Sequence, residues 1–316
     1  MRHVSRSFYL SIRFLPKKIR PTIAIGYLLA RASDTIADTN GLPAEARTRL
    51  LTQVKSWICS GIESDRQLLK ECIKAQPQGA ERDLLAALEK IVGAKSFLPL
   101  VHQQLLEEVL AKIIQGQLLD LERFELVSEP QALPDDSSLE EYTYLVAGCV
   151  GEFWTKLCLL EWPHYARVDR VQIMHWGKRF GQGLQLVNIL RDFSTDIQSS
   201  RCYLPIAEME KARSDPASVR ENWMRWLERA SLYLKAGWDY TISVRPARVR
   251  FACAVPVLIG IRTLQLLKDQ PVRPGIKISR QQVRWIILLS VVVGWFGLGE
   301  RMIYAAFAGK TVQCPD

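Results

Sequence analysis

Apolar positions along this chain recur at helical spacing, and no run of alternating apolar and polar residues marks a strand. The pattern predicts helices over residues 20–38, 43–60, 80–94, 97–125, 138–160, 168–197, 216–243, 246–269 and 279–307. Pro21 falls where a first-turn proline is tolerated. Ser137 followed by Glu140, and Ser279 followed by Gln282, have the spacing of capping boxes. Residues 129–138 (EPQALPDDSS) read as a polar, proline-bearing loop. There is no repeat and no low-complexity tract, and the expected fold class is all-α.

Two of these helices carry a polar stripe on an otherwise apolar surface. In the first, Tyr27, Arg31, Asp34 and Asp38 follow spacings of four, three and four, among Leu28, Leu29, Ala30, Ala32, Ile36 and Ala37. In the second, Gln185, Asn188, Asp192 and Asp196 follow spacings of three, four and four, among Leu184, Leu186, Val187, Ile189 and Leu190. Such a stripe is expected to line a cavity. Carboxylates one turn apart, about 6 Å along the axis, share a face and suit a hard cation. Burying the second helix would also bury its two carboxylates, an amide and Arg191, which needs a cation or ligand to offset the cost. A solvated pair of carboxylates is the alternative for the first stripe, and a structural salt-bridge network for the second.

Together the stripes point to metal-diphosphate chemistry. Magnesium binds through a few carboxylates plus substrate phosphates, so two facing acidic helices could hold a diphosphate between them. The ions would stabilise the departing diphosphate. Arg31 and Arg191 could add charge-assisted hydrogen bonds to phosphate oxygens, and apolar walls would keep water from a carbocation. Weaker signals accompany them. In Tyr142–Gly151 (YTYLVAGCVG), the small Ala147, Gly148 and Gly151 suit close helix packing. Tyr142 and Tyr144 are candidates for carbocation contact or proton handling, with core packing as the plainer reading. Ser5, Arg6 and Ser7 could reach a diphosphate or simply cap a helix.

Composition narrows the partners. The chain has 316 residues and a formal net charge of +9, which favours anionic ligands. Lys and Arg are dispersed and no nucleic-acid motif is present, so nucleic acid is not an expected partner. The seven cysteines include no C-x-x-C pair, which argues against a disulfide framework or a thiolate zinc site, and the four histidines lack metal-ligand spacing. No long apolar signal core opens the chain; a cytosolic or membrane-peripheral protein is expected. Trp285–Gly299 (WIILLSVVVGWFGLG) is almost purely apolar but shorter than the roughly 20 residues of a bilayer span. It reads as a buried C-terminal helix or a membrane-associated one, with Arg273, Lys277, Arg280 and Arg284 upstream suited to an anionic leaflet. The expected division is therefore a catalytic domain over 1–284 and an apolar helix and tail over 285–316.

SRSF (Ser5–Phe8), YLLARASDTIAD (Tyr27–Asp38), YTYLVAGCVGE (Tyr142–Glu152), QLVNILRDFSTD (Gln185–Asp196), RCYLP (Arg201–Pro205) and RVRFACAVPVLIGIRTL (Arg248–Leu264) occur in this order. That combination resembles the squalene/phytoene synthase family, and most the bacterial squalene synthases. The resemblance implies a single-domain isoprenoid-synthase fold with helices around a central cavity. It implies head-to-head condensation of two prenyl diphosphates, farnesyl diphosphate foremost, through a cyclopropyl diphosphate. Reduction by NADPH would then give squalene; proton loss would give dehydrosqualene or phytoene. By position, Asp34, Asp38, Asn188, Asp192 and Asp196 look like magnesium-diphosphate ligands. Ser5, Ser7, Tyr27, Arg31, Gln185 and Arg191 look like substrate contacts, Tyr142 like the tyrosine of the chemistry, and Arg201 like an arginine tied to nicotinamide cofactors. Thr195 stands where eukaryotic members often have an acidic residue. A non-catalytic isoprenoid-binding protein on a membrane surface is the alternative of another class.

Overall fold

The computed structural model describes residues 12–62, 65–126, 132–206, 212, 214–215, 219–269 and 275–296. Among them the regular structure is helical, with one isolated bridge between Ala166 and Val244. The chain forms two compact units: unit 1 comprises 1–130 and 156–161, and unit 2 comprises 131–155 and 162–316.

Unit 1 holds α1 (Arg20–Ala37), α2 (Ala44–Ser60), α3 (Arg66–Ala75), α4 (Ala80–Ala86), α5 (Leu88–Ala94) and the long α6 (Leu100–Phe124). Prolines set three of the starts: one in the first turn of α1, and Pro43 and Pro99 as N-caps of α2 and α6. The α1 and α2 helices pack on α6 through Leu29, Ile36, Leu50, Val54, Leu106 and Leu110, all buried. Arg47 is buried, donates to the Ala37 carbonyl and pairs with Glu125, so it closes the end of α1 onto the end of α6. The α3 helix went unseen in the apolar pattern because only Leu68 and Cys72 of it are buried; Asp65 starts it by accepting from the Gln67 and Leu68 amides. The expected helix over 80–94 is two helices meeting at Ala87, where neither glycine nor proline signals the break.

Unit 2 holds α7 (Asp136–Thr143), a π-helical turn (Tyr144–Gly148), the start of α8 (Cys149–Glu161), then α9 (Arg170–Gln198), α10 (Arg220–Ser243), α11 (Ala247–Asp269) and α12 (Arg280–Phe296). The α7 helix is capped by Asp135, which accepts from the Ser138 amide at 2.8 Å, so the capping box expected at Ser137 does not form and Ser137 lies inside the helix. The box at Ser279 does form: its hydroxyl accepts from the Gln282 amide and the Gln282 side chain accepts from the Ser279 amide. Among the described residues α11 alone is long and apolar enough to cross a membrane, with mean hydropathy 1.5. It is a core helix of this unit, packed on α9, α10 and α12.

The C-terminal helix starts at Arg280, one residue after the expected start at 279, and is two-faced. Ile286, Ser290 and Val293 are buried, on a helix that packs against α11, and the buried Arg250 donates to the Gly294 carbonyl at 2.8 Å and to that of Val244 at 3.0 Å. Trp285, Ile287, Leu288 and Trp295 are exposed. Residues 297–316 lie outside the described residues, as do Ser5 and Ser7.

Candidate active site

The stripe of unit 1 lies along α1 as its spacing predicts. Tyr27, Arg31 and Asp34 are half-buried, and Asp38, the C-cap, is exposed. Arg31 bridges two acids, Asp34 on its own helix and Glu81 on α4. Burial pushes the Asp34 carboxyl above its usual range, against the pull of Arg31, and Glu81 pushes it the same way. Glu81 carried no signal in the sequence, because only the fold brings α4 beside α1.

In unit 2, Gln185, Asp192 and Asp196 are half-buried and Asn188 is exposed, while Leu186, Val187, Ile189, Leu190, Phe193 and Ile197 are buried on the other faces of α9. The acids are thus less enclosed than expected, and Arg191 forms two hydrogen bonds with the Asp192 carboxylate, from Nε at 2.8 Å and from its terminal nitrogen at 2.5 Å. The cost of burial falls on Asp196, whose carboxyl is pushed up to about 6, first by burial and then by Asp192. Arg201 and Arg191 pull it the other way. Helix α9 ends in a Schellman turn: the Arg201 amide donates to the Asp196 carbonyl at 2.9 Å and the Ser200 amide to the Ile197 carbonyl at 3.2 Å, with Ser200 left-handed at φ 61°. This turn brings Arg201 back within electrostatic reach of Asp196.

A raised carboxyl is stability lost at high pH. Asp196 binds its proton more tightly folded than unfolded, so stability falls as pH rises from about 4 to about 6, and the full cost stands above that. Two pK units equal roughly 3 kcal/mol, and solvent access reduces this to about 1–2 kcal/mol. Asp196→Asn is therefore expected to stabilise the metal-free protein by about that amount at pH 8 and by little at pH 4. Urea denaturation at both pH values measures it; no gain at pH 8 would refute the burial account.

Tyr142 is buried at the end of α7 and stacks on Tyr203, ring centroids 4.8 Å apart and planes 21° from parallel. Tyr203 follows Arg201 in the strap after α9, held by hydrogen bonds from the Leu133 amide to the Cys202 carbonyl and from the Asn222 side chain to the Pro205 carbonyl. Tyr144 opens the π-helical turn; its hydroxyl donates to Glu152 at 3.0 Å and its ring lies under the Lys178 ammonium at 4.7 Å. π-turns occur often at functional sites, and here one follows Tyr142 directly.

Glu140, visible in the sequence only as part of a capping box, is a hub. It accepts from Tyr233, from Arg229 at 3.0 Å, from Gln182 at 3.0 Å and from Arg179 at 3.3 Å, so it ties α7 to α9 and α10. The Arg179 guanidinium also lies 4.3 Å from the Tyr233 ring centre.

Among the described residues no three His, Cys, Asp or Glu side chains form a closed metal cage. The donors present suit a different kind of site. Each stripe offers a few carboxylates and, in unit 2, an amide, which is how magnesium is held when substrate phosphates and water complete its shell. Each acidic pair also sits in the last turns of its helix, where the macrodipole is negative and a carboxylate is disfavoured. At Asp196 burial and the neighbouring Asp192 already push the carboxyl up. An added cation would relieve both terms, so these residues fit magnesium. For a nicotinamide cofactor the resemblance offers only Arg201, whose charge already acts on Asp196.

The fold is that of helical prenyl-condensing enzymes. A solved ligand complex of TcSQS superposes with TM-score 0.75 at 22% identity, covering 99% of this chain and 90% of that one. A dehydrosqualene synthase in complex with ligand superposes with TM-score 0.57 at 19% identity over 90% of each chain. The family model for squalene/phytoene synthase matches residues 1–285, and the chain belongs to that family. Its curated relatives include a squalene synthase from Mycosarcoma maydis, 23% identical over 91% of this chain and 53% of that protein. A bifunctional lycopene cyclase/phytoene synthase from Blakeslea trispora is 26% identical over 92% of this chain and 47% of that protein. The chain thus spans about half the length of these relatives.

Proposed function

We propose that the protein condenses two prenyl diphosphates head to head, with farnesyl diphosphate as substrate, and ends at squalene by reduction with NADPH. The observation that carries the condensation is the pair of acidic stripes at helix C-terminal ends, with the Asp196 carboxyl pushed up to about 6 by burial and by Asp192. Bound magnesium would supply positive charge to the departing diphosphate. Asp34, Asp38, Asn188, Asp192 and Asp196 are the residues that would hold it. Arg31 and Arg191 would orient phosphate oxygens by charge-assisted hydrogen bonds, in exchange for their present acid partners. Tyr27 and Gln185 lie on the same stripes and would contact substrate, as would Ser5 and Ser7 by the resemblance. Tyr142, with its ring held against Tyr203, would offer an aromatic face and a hydroxyl to the cationic chain.

NADPH supplies a hydride when bound, and Arg201 is the residue the resemblance assigns to it. Likeness to squalene synthases supports this ending, and likeness to phytoene synthases supports the second reading, loss of a proton to dehydrosqualene or phytoene. Incubation with farnesyl or geranylgeranyl diphosphate and magnesium, with and without NADPH, separates the endings. Squalene only with NADPH is the expected result. Dehydrosqualene in both incubations, or turnover of geranylgeranyl diphosphate alone, would sink the squalene ending. Binding of substrate without any condensed product would leave the non-catalytic isoprenoid-binding alternative. The exposed apolar face of α12, with the exposed Lys277, Arg280 and Arg284, supports peripheral membrane contact by residues 280–316.

A further inference from the structure

Unit 1 carries an apolar face that the chemistry does not use. Phe97 is 89% exposed, Leu100 76%, and Val101 and Leu160 49% each. Glu161 brings them together: it meets the His102 ring at 3.1 Å and the Lys18 ammonium at 3.9 Å. The starts of α6 and α1 and the end of α8 therefore share one surface. The footing is firm, because His102 is buried and hydrogen-bonded to Thr22 at 2.8 Å, and Leu15, Ile19 and Leu98 in the segments before α1 and α6 are buried too. Arg13, Lys17 and Lys18 are all exposed in the segment that leads to α1.

An apolar patch this exposed, with a basic border, marks an interaction surface. We infer that it docks on an anionic lipid bilayer. Phe97, Leu100 and Val101 would enter the acyl boundary, and Arg13, Lys17 and Lys18 would meet lipid phosphates. A second copy of the chain is the poorer occupant. A two-fold interface pairs the patch with its own copy, so the basic residues of both copies would gather at one contact. This surface lies in unit 1 and is independent of α12 and of the reaction proposed above.

The test uses the full chain sedimented with vesicles of phosphatidylcholine alone or mixed with phosphatidylglycerol. Wild type is expected to pellet with the anionic vesicles, less so as salt rises. The double variants F97D/L100D and K17E/K18E are each expected to lower that partitioning about tenfold. Turnover of F97D/L100D on detergent-dispersed farnesyl diphosphate, or its circular dichroism if the protein proves inactive, should match wild type and so exclude misfolding. Wild-type partitioning in both variants would overturn the assignment, as would loss of binding in Leu288→Asp alone, which would give all docking to α12. Light scattering that finds a wild-type dimer split by F97D/L100D would assign the face to a second copy and overturn it too.

Discussion

Asp34→Asn and Asp192→Asn are each expected to lower turnover about 10²–10³-fold, the range seen when one preorganised electrostatic stabiliser is lost. Asparagine keeps the size and one carbonyl oxygen, so the change isolates charge. Both acids lie in part-exposed ion pairs, Asp34 with Arg31 and Asp192 with Arg191, and such pairs contribute only about 0–1 kcal/mol to folding. Thermal melts should therefore hardly move while activity collapses. Asp34→Asn leaves Arg31 with Glu81 as its acid partner, Asp192→Asn takes the paired carboxylate from Arg191, and both arginines can still grip phosphate. Weakened dependence on magnesium, with KM for the diphosphate less affected than kcat, is the expected signature. Normal turnover in either variant, with magnesium still required, would remove that stripe from the metal site.

The stripes were legible because a helix repeats every 3.6 residues, so four polar side chains on an apolar helix had to share a face. What the spacing could not convey was how deep they lie. The second stripe was expected to line a cavity; of its residues Asn188 is exposed, Gln185, Asp192 and Asp196 are half-buried, and Asp192 is paired with its neighbour Arg191. Glu81, Glu140 and Tyr203 were missed for a common reason. Each acquires its role from a helix or strap distant in sequence: Glu81 from Arg31, Glu140 from Arg179 and Tyr233, Tyr203 from Tyr142. Periodicity reports only which residues share an element. The short α3 and the break at Ala87 escaped because the one buries too little to show a period and the other has no glycine or proline to signal it. The C-terminal segment was read as one apolar block, whereas α12 has an inner face on α11 and an outer apolar face. Removal of residues after 285 would therefore strip Ile286, Ser290 and Val293 from unit 2 and test folding as well as membrane contact.

Gly151→Ala is expected to be the most destabilising single methyl in the molecule. The small residues of the Ala147–Gly151 stretch were read as permitting close packing, and α9 does approach them backbone to backbone. A Cβ on Gly151 would overlap the Gly177 carbonyl, and one on Gly181 would overlap the Ala147 carbonyl. These obstacles are main chain, so no rotamer change removes them and the two helices must separate. Overpacking in a core costs typically 1–3 kcal/mol where side chains can yield, and about 3 kcal/mol or more is expected here. The seam is also held by polar contacts that separation would break. Thr155 donates to the Gly151 carbonyl at 2.7 Å, and its hydroxyl lies 3.1 Å from Tyr240, which meets Tyr165 at 2.8 Å. Gly93, whose added Cβ would meet nothing within 4 Å, is the matched control: Gly93→Ala in α5 should be neutral or slightly stabilising. Urea denaturation of the two variants makes the comparison. Equal midpoints would mean that the seam between Gly151 and Gly177 yields easily. A large loss in Gly151→Ala, with reduced turnover in the fraction that still folds, would show that this contact sets the position of the π-turn after Tyr142 against the helix that carries Asp192.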